Sequence, residues 1–499
     1  VTPPDPTRDL RRAFYGLLTC VGVAVCVAKI AGVESLPEPS RYNPPTASDF
    51  GADRDDVPRR VWPATRPDPT PMFGSNDKSR FATVKALVEN GTYVVGRRDN
   101  FTAKTGYRDT GVIFEPGYGS LDKVMDPDTG EFYSSKPPLF PTLVAGEYWV
   151  LHKLGLSIDR DRWWVVGIIL LTFNALPFAV YLGLLASLIE SVGRTDFGKL
   201  FAFTVAATAT FLTTFSVTLN NHTPAACCVV FALYPLLRSG ATDSPPSLAT
   251  AGFFAGLSTT FELPAASLLV GLFVPLLVAR RGGALWYAAG AALPLAAFFA
   301  ANYAAMGRWL PAYGEFGGPW YDFPGSHWAK LKLPLAERVG LGIDFASEPK
   351  WLYAFHLTLG HHGWFSLTPV WLLGLGGLIA SAKSSVRESL QMPGPATWAP
   401  AKLATLTLAV SGVVFAFYVA RTNNYGGFTS CARWLMWLTP LWLLGTLPAA
   451  DAVGRSRTGR VVAGLLLAAS VFSVMYPAWN PWRPPWILQL CELMGWVRY

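Results

Sequence analysis

The sequence predicts an all-α polytopic membrane protein, with about eleven transmembrane helices, a large mixed α/β first outer loop and a second outer loop. Three observations predict it. Apolar residues make up 51% of the 499 and charged residues only 15%, where soluble domains carry about 25% charged. The mean hydropathy is +0.30. Nineteen tryptophans and eighteen tyrosines suit a chain with two membrane interfaces, where amphipathic rings settle. The net charge of +8 does not point to a nucleic-acid partner, because the basic residues fall mainly in short connections between apolar segments.

Taken in order, residues 1–32 hold a basic flank and the first helix, read as an uncleaved signal anchor in "RDLRRAFYGLLTCVGVAVCVAKIAGV". A span needs about 20 apolar residues. Candidate spans cover 12–32, 163–190, 200–219, 224–238, 248–261, 264–279, 284–304, 364–382, 403–421, 434–450 and 461–479. Orientation follows from the basic residues. With the N-terminus in the cytoplasm, the inner connections carry Arg8, Arg11, Arg12, Arg194, Lys199, Arg238, Arg280, Arg281, Lys383, Arg387, Lys402, Arg455, Arg457 and Arg460. The short outer connections, "NNHTP", "FELP" and "TNNYGGFTSCAR", hold only Arg421 and Arg433. That bias supports a helix break at "FELP", since one helix over 248–279 would invert every later loop.

Residues 33–162 and 305–363 then form outer loops between helices at 163–304 and 364–499. The first loop starts with a Pro- and Asp-rich stretch that reads as extended. "SRFATVKALVENG" reads as a short helix ending at Gly91, and "TYVVGRRDNF…GVIFEP" has strand character. "PLFPTLVAGEYWVLHKLG" is apolar but short and carries Glu147, His152 and Lys153, so it reads as a helix on the outer interface. The final residues read as an interfacial tail.

Polar groups at the outer boundary are the candidates for chemistry. Asp77 precedes the short helix, near its positive end; a capping acid or an ion pair with Lys78 or Arg80 is the plainer reading. In "KPPL", proline keeps Lys136 out of the helical region, and Pro137 and Pro138 lead into the interfacial helix. A lysine held there offers a point charge to a phosphate, or to lipid head groups. Glu262 is flanked by apolar residues, where an acid is a functional candidate or a cap at a turn. His222 is a candidate metal ligand or proton acceptor, or a hydrogen-bonded boundary residue. His361 and His362 enter a helix from outside, and adjacent helical residues face apart, which argues against a paired metal site. Arg433 follows Gly426 and Gly427 and is a natural phosphate clamp, or a cation of the aromatic belt beside Trp434 and Trp437. The six cysteines form no CxxC pair, and GxxxxGK[ST], HExxH and GxSxG are absent.

An inward first terminus, an early acid in a large outer loop, a later "KPPL" and a helical bundle with a late arginine resemble the GT-C superfamily of membrane glycosyltransferases. The nearest likeness is to the aminoarabinose transferase and protein O-mannosyltransferase group, with the rhizobial lipopolysaccharide-type transferases. Where that group has an Asp-Glu doublet this chain has Asn76–Asp77, and near 220, where relatives often have an acid, it has Asn221 and His222. The resemblance implies a GT-C-like bundle in the inner (plasma) membrane with outward catalytic loops. It implies a polyprenyl-phosphate sugar donor among the membrane lipids, and an acceptor hydroxyl on a lipid, glycan or protein. It makes Asp77 the general base and Lys136 and Arg433 the phosphate ligands. Asn76, Arg80, His222, Glu262, His361 and His362 become further substrate or metal contacts, with a divalent metal as candidate cofactor. The competing readings are a transporter or flippase of lipid-linked glycans, expected to show repeats and a midplane site, and a non-catalytic membrane subunit, in which Asp77 and Lys136 would lie apart in water.

Overall fold

A computed structural model describes residues 7–33, 69–238, 244–338, 340–389, 400–497 and 499. The Pro- and Asp-rich start of the first outer loop lies mostly at 34–68, outside the described residues. The chain opens with α1 (Arg8–Ala31). The outer loop then gives α2 (Ser75–Asn90), strands β1 (Gly96–Arg98), β2 (Asp109–Thr110), β3 (Lys123–Met125) and β4 (Glu131–Ser134), and α3 (Leu139–Lys153). Next come α4 (Arg162–Val192), α5 (Asp196–Thr208), α6 (His222–Leu237), α7 (Pro245–Phe261), α8 (Ala266–Ala279) and α9 (Arg281–Met306). Short 3-10 turns and α10 (Lys350–Thr358) make up the second loop region. The chain continues through α11 (Trp371–Ser389), α12 (Pro400–Arg421), α13 (Thr439–Val453), α14 (Arg457–Met475) and α15 (Trp486–Leu493).

Among the described residues, α1, α4, α9, most of α12 (Ala401–Arg421) and α14 are long and apolar enough to cross a membrane. Large apolar side chains stand exposed on them, including Leu17, Leu176, Leu285, Leu293, Val413 and Leu465, as expected of surfaces that face lipid rather than water. The other expected spans correspond to shorter or broken elements. The break at "FELP" is present: α7 ends at Phe261, Glu262 is extended, and a 3-10 turn leads into α8. α7 and α9 pack backbone to backbone. A Cβ on Gly252 would lie 1.8 Å from the carbonyl oxygen of Tyr287, and one on Gly290 would lie 2.0 Å from that of Ala249. Gly252→Val is therefore expected to destabilise the folded chain by about 1–3 kcal/mol through overpacking, read as a lowered melting temperature in detergent. An unchanged melting temperature would refute this contact.

The expected span at 200–219 is helical only to Thr208; 209–221 runs as a buried irregular segment. The physical reason is its threonines. The hydroxyls of Thr204, Thr208 and Thr210 donate to carbonyls four residues back, Thr213 to one three back, and Thr214 to the carbonyl of Val474 on α14. Such bonds compete with a regular helix. Irregular backbone in an apolar setting needs partners, and side-chain amides supply them. Asn174 donates to the carbonyls of Ser216 and Thr218, both at 2.8 Å. Asn220 donates to those of Phe215 and Thr218. Asn174 itself sits in a π-helical turn (Leu171–Ala175) of α4, one residue type of bulge common where function sits. The outcome is that Asn221 and His222 open α6 from a fixed loop.

In the first outer loop, α2 ends on Gly91 in the left-handed conformation, φ 67°. The four strands form an antiparallel sheet in the order β2-β1-β4-β3. "GVIFEP" contributes a 3-10 turn at Val112–Phe114 rather than a strand. β3 and β4 pair with Lys123 opposite Ser134, and one step beyond, the Ser135 N–H donates to the Asp122 carbonyl at 3.1 Å. α3 leaves Leu143, Trp149 and Val150 exposed, an apolar face fit for an interface. Its Phe140 ring packs edge-on against Phe173 of α4 and Phe261 at the end of α7.

Candidate active site

Seven elements or connections converge on one buried polar cluster. Arg80 comes from the second turn of α2 and is 2% exposed. Its guanidinium donates to the Asn76 side chain, to the carbonyls of Asn76 and Leu219 at 3.2 Å, and to Asn221 Oδ1 at 2.5 Å. The Asn221 amide passes the link on, donating to Glu262 Oε1 at 2.6 Å and to the Phe261 carbonyl at 2.9 Å. Glu262 also bonds His222 Nδ1. On the other side of that ring, Arg433 Nη1 meets Nε2 at 2.9 Å. A guanidinium only donates, so Nε2 accepts and Nδ1 carries the proton toward Glu262. Arg433 is fixed further by two bonds to the Gly426 carbonyl, 3.1 and 3.0 Å, and by Trp482, whose ring centre lies 4.9 Å from its Cζ. The backbone of Gly426 and Gly427 has φ of 98° and 76°, which glycine alone adopts freely.

Lys136 reaches the same place from the sheet. The register that puts Asp122 opposite Ser135 sets its carboxylate 2.8 Å from Lys136 Nζ. Ser79 of α2 locks the pair, donating to the Asp122 carbonyl at 2.5 Å and lying 2.7 Å from the Ser134 hydroxyl. Burial works against the charge on Asp122, but Lys136, helped by Arg433 and Arg80, outweighs it and holds the carboxyl below its usual range. Burial also lowers the pKa of the Lys136 ammonium; Asp122 opposes that, while Arg433 and Arg80 add to it. Arg80, Lys136 and Arg433 are thus near enough to act on one another, among the acids Asp122, Glu262 and Asp77.

Asp77 lies one turn before Arg80. Its carboxylate caps α2: Oδ1 accepts the N–H groups of Gly74 at 2.7 Å and Lys78 at 3.2 Å, and Oδ2 that of Phe73 at 2.9 Å. The capping reading of this acid therefore holds. Among the described residues no hydrogen bond or ion pair joins Asp77 to Lys136. Burial lifts the Asp77 carboxyl to about 6, against the pull of those amides and Lys78. Gly74 seats this end of α2 on Trp482, where a Cβ would come within 2.7 Å of the indole. Trp482 thus touches the elements carrying both Asp77 and Arg433.

His361 and His362 stand differently from expectation. They lie in a turn after α10, not on a helix, so their rings converge, with Nδ1 atoms 2.6 Å apart. They pack with His356, Tyr425 and Tyr499, and His361 Nε2 meets the Tyr499 hydroxyl at 2.7 Å. That hydroxyl donates to Glu348 at 2.9 Å. The group braces the loop that carries Gly426, and among the described residues no hydrogen bond ties it to Arg433. Among the described residues, no group of three or more His, Cys, Asp or Glu is arranged to hold a metal ion. Both His222 nitrogens and Glu262 Oε1 are engaged, and Arg433 faces them, so this pair does not fit a divalent cation either.

No motif or spacing in the sequence marks Asp122 or Trp482 as part of this site. No family model matches the chain, and no curated protein matches it. The fold is similar to two solved structures of the Archaeoglobus fulgidus oligosaccharyltransferase. The complex with Zn and sulfate is 12% identical, with a TM-score of 0.45, covering 96% of this chain and 55% of that one. The apo form is 12% identical, with a TM-score of 0.47, covering 97% and 57%. The chain spans just over half the length of those structures.

Proposed function

We propose that the protein is a membrane glycosyltransferase of the GT-C type, which moves a sugar from a polyprenyl phosphate to an acceptor hydroxyl at the outer face of the membrane. The observation that carries this reading is the convergence of Lys136, Arg433 and Arg80 at the ends of apolar helices. An anionic phosphate on a greasy tail needs such a place: cations held by fixed bonds, next to surfaces that suit lipid.

In this reading the acceptor hydroxyl gives its proton to Asp77 Oδ2, which accepts one backbone N–H among the described residues. The hydroxyl oxygen attacks the anomeric carbon, and the bond from that carbon to the phosphate oxygen breaks. Lys136 and Arg433 neutralise the charge gathering on the departing phosphate, usually the largest single contribution to such a rate. Between Asp77 and Asp122, Asp77 is the better base, since burial raises its proton affinity. Asp122 is held ionised by Lys136 and is the weaker base. His222 is orienting, with Glu262 and Arg433 fixing its tautomer.

The test is to purify the protein in nanodiscs, identify co-purifying lipid by mass spectrometry, and incubate it with a cell-envelope acceptor extract. Free polyprenyl phosphate should accumulate as the sugar-bearing lipid disappears. Movement of the intact lipid-linked sugar between leaflets without sugar release would overturn the reading in favour of a flippase.

A further inference from the structure

The two prolines after Lys136 fix its backbone but not where its ammonium lies. Its ammonium has one carboxylate partner among the described residues, Asp122 at 2.8 Å. Asp122 is held from three sides: its carbonyl by the Ser79 hydroxyl at 2.5 Å and the Ser135 N–H at 3.1 Å, and its N–H by the Ser120 hydroxyl at 3.0 Å. Ser120 in turn donates to the Ser75 carbonyl at 2.6 Å, so the whole arm rests on the start of α2. These bonds fix the Asp122 backbone, and from it the carboxylate reaches the Lys136 ammonium. The other ionisable groups acting around Lys136 are Arg433 and Arg80, which repel its charge, and Glu262 and His222. Partial burial and the two guanidinium groups work against the charge on Lys136, and Asp122 favours it.

We infer that Asp122 is a positioning residue for Lys136, aiming the ammonium into the cluster for an anionic head group. The inference rests on the phosphate-binding reading above. It predicts a particular failure. Without the Asp122 charge, Lys136 gives up its proton at lower pH, while any loss of negative charge beside the site favours an anion. Asp122→Asn should therefore bind phosphate lipid as well as the wild type in mild acid and poorly in alkali.

The experiment measures binding of undecaprenyl phosphate to the full chain in detergent, by native mass spectrometry or thermal shift, from about pH 6 to about pH 9. Asp122→Asn is expected to match wild-type affinity near the acid end and to fall below it toward the alkaline end, by about tenfold where the pH stands one unit above the variant ammonium's pKa. The double variant Asp122→Asn with Lys136→Arg should lose that pH dependence, because a guanidinium stays charged without help. Asp122→Glu keeps the charge and should keep the wild-type profile, which covers the case in which the asparagine variant does not fold. A profile unmoved in Asp122→Asn, or moved in Asp122→Glu, overturns the inference while wild-type binding stands. Wild-type protein that binds no undecaprenyl phosphate at any pH overturns the reading beneath it as well.

Discussion

Lys136→Gln is expected to slow sugar transfer by about 10²–10³-fold, the usual consequence of losing one preorganised contact to developing charge. Glutamine is the informative choice. It keeps a donor for Asp122, whereas truncation would remove the donor together with the charge. Lys136→Arg keeps the charge but not the compact shape, and should fall between the two. Single-turnover rates with saturating donor would separate chemistry from binding. A Lys136→Gln enzyme as fast as the wild type would remove the residue from the mechanism, and with it the sheet that delivers it.

Asp77→Asn should lower turnover by about 10²–10⁴-fold, the range for a placed general base. Asparagine still accepts amides through one oxygen, so the α2 cap is only partly lost, a change of about 1 kcal/mol or less. Thermal unfolding of the variant checks that the fold survives. The same residue sets a pH expectation. A base acts when deprotonated, and the Asp77 carboxyl titrates at about 6, so activity should rise as pH passes upward through that value. The Asp77→Asn variant should have lost this acid limb. An acid limb that survives in the variant would assign it to another group. Near-wild-type turnover would leave Asp77 with its capping role alone.

Part of this site was legible in the chain itself. Proline after Lys136, glycine after Asn90, and "FELP" between two apolar runs each state a local backbone preference, and the structure has the corresponding turn, cap and break. Arg433 was legible because it is one of only two basic residues in the short outer connections and leads into an apolar run. Asp122 was not, because nothing in "SLDKVM" marks it; only the pairing of β3 with β4 brings it to Lys136. The helix expected at 200–219 was misread because its apolar residues satisfy a span pattern, while the threonines that break it do so through bonds to particular carbonyls. The histidines were misread for the reverse reason. Helical geometry separates neighbours, and the turn they occupy brings them together.

The most direct measurement is a structure of the full chain with undecaprenyl phosphate bound. Phosphate oxygens are expected within about 3 Å of Lys136 Nζ and an Arg433 nitrogen, the range of charge-assisted hydrogen bonds, with the isoprenoid tail leaving along the apolar helices. Phosphate bound at the opposite end of the bundle, near Arg11 and Lys199, would contradict it.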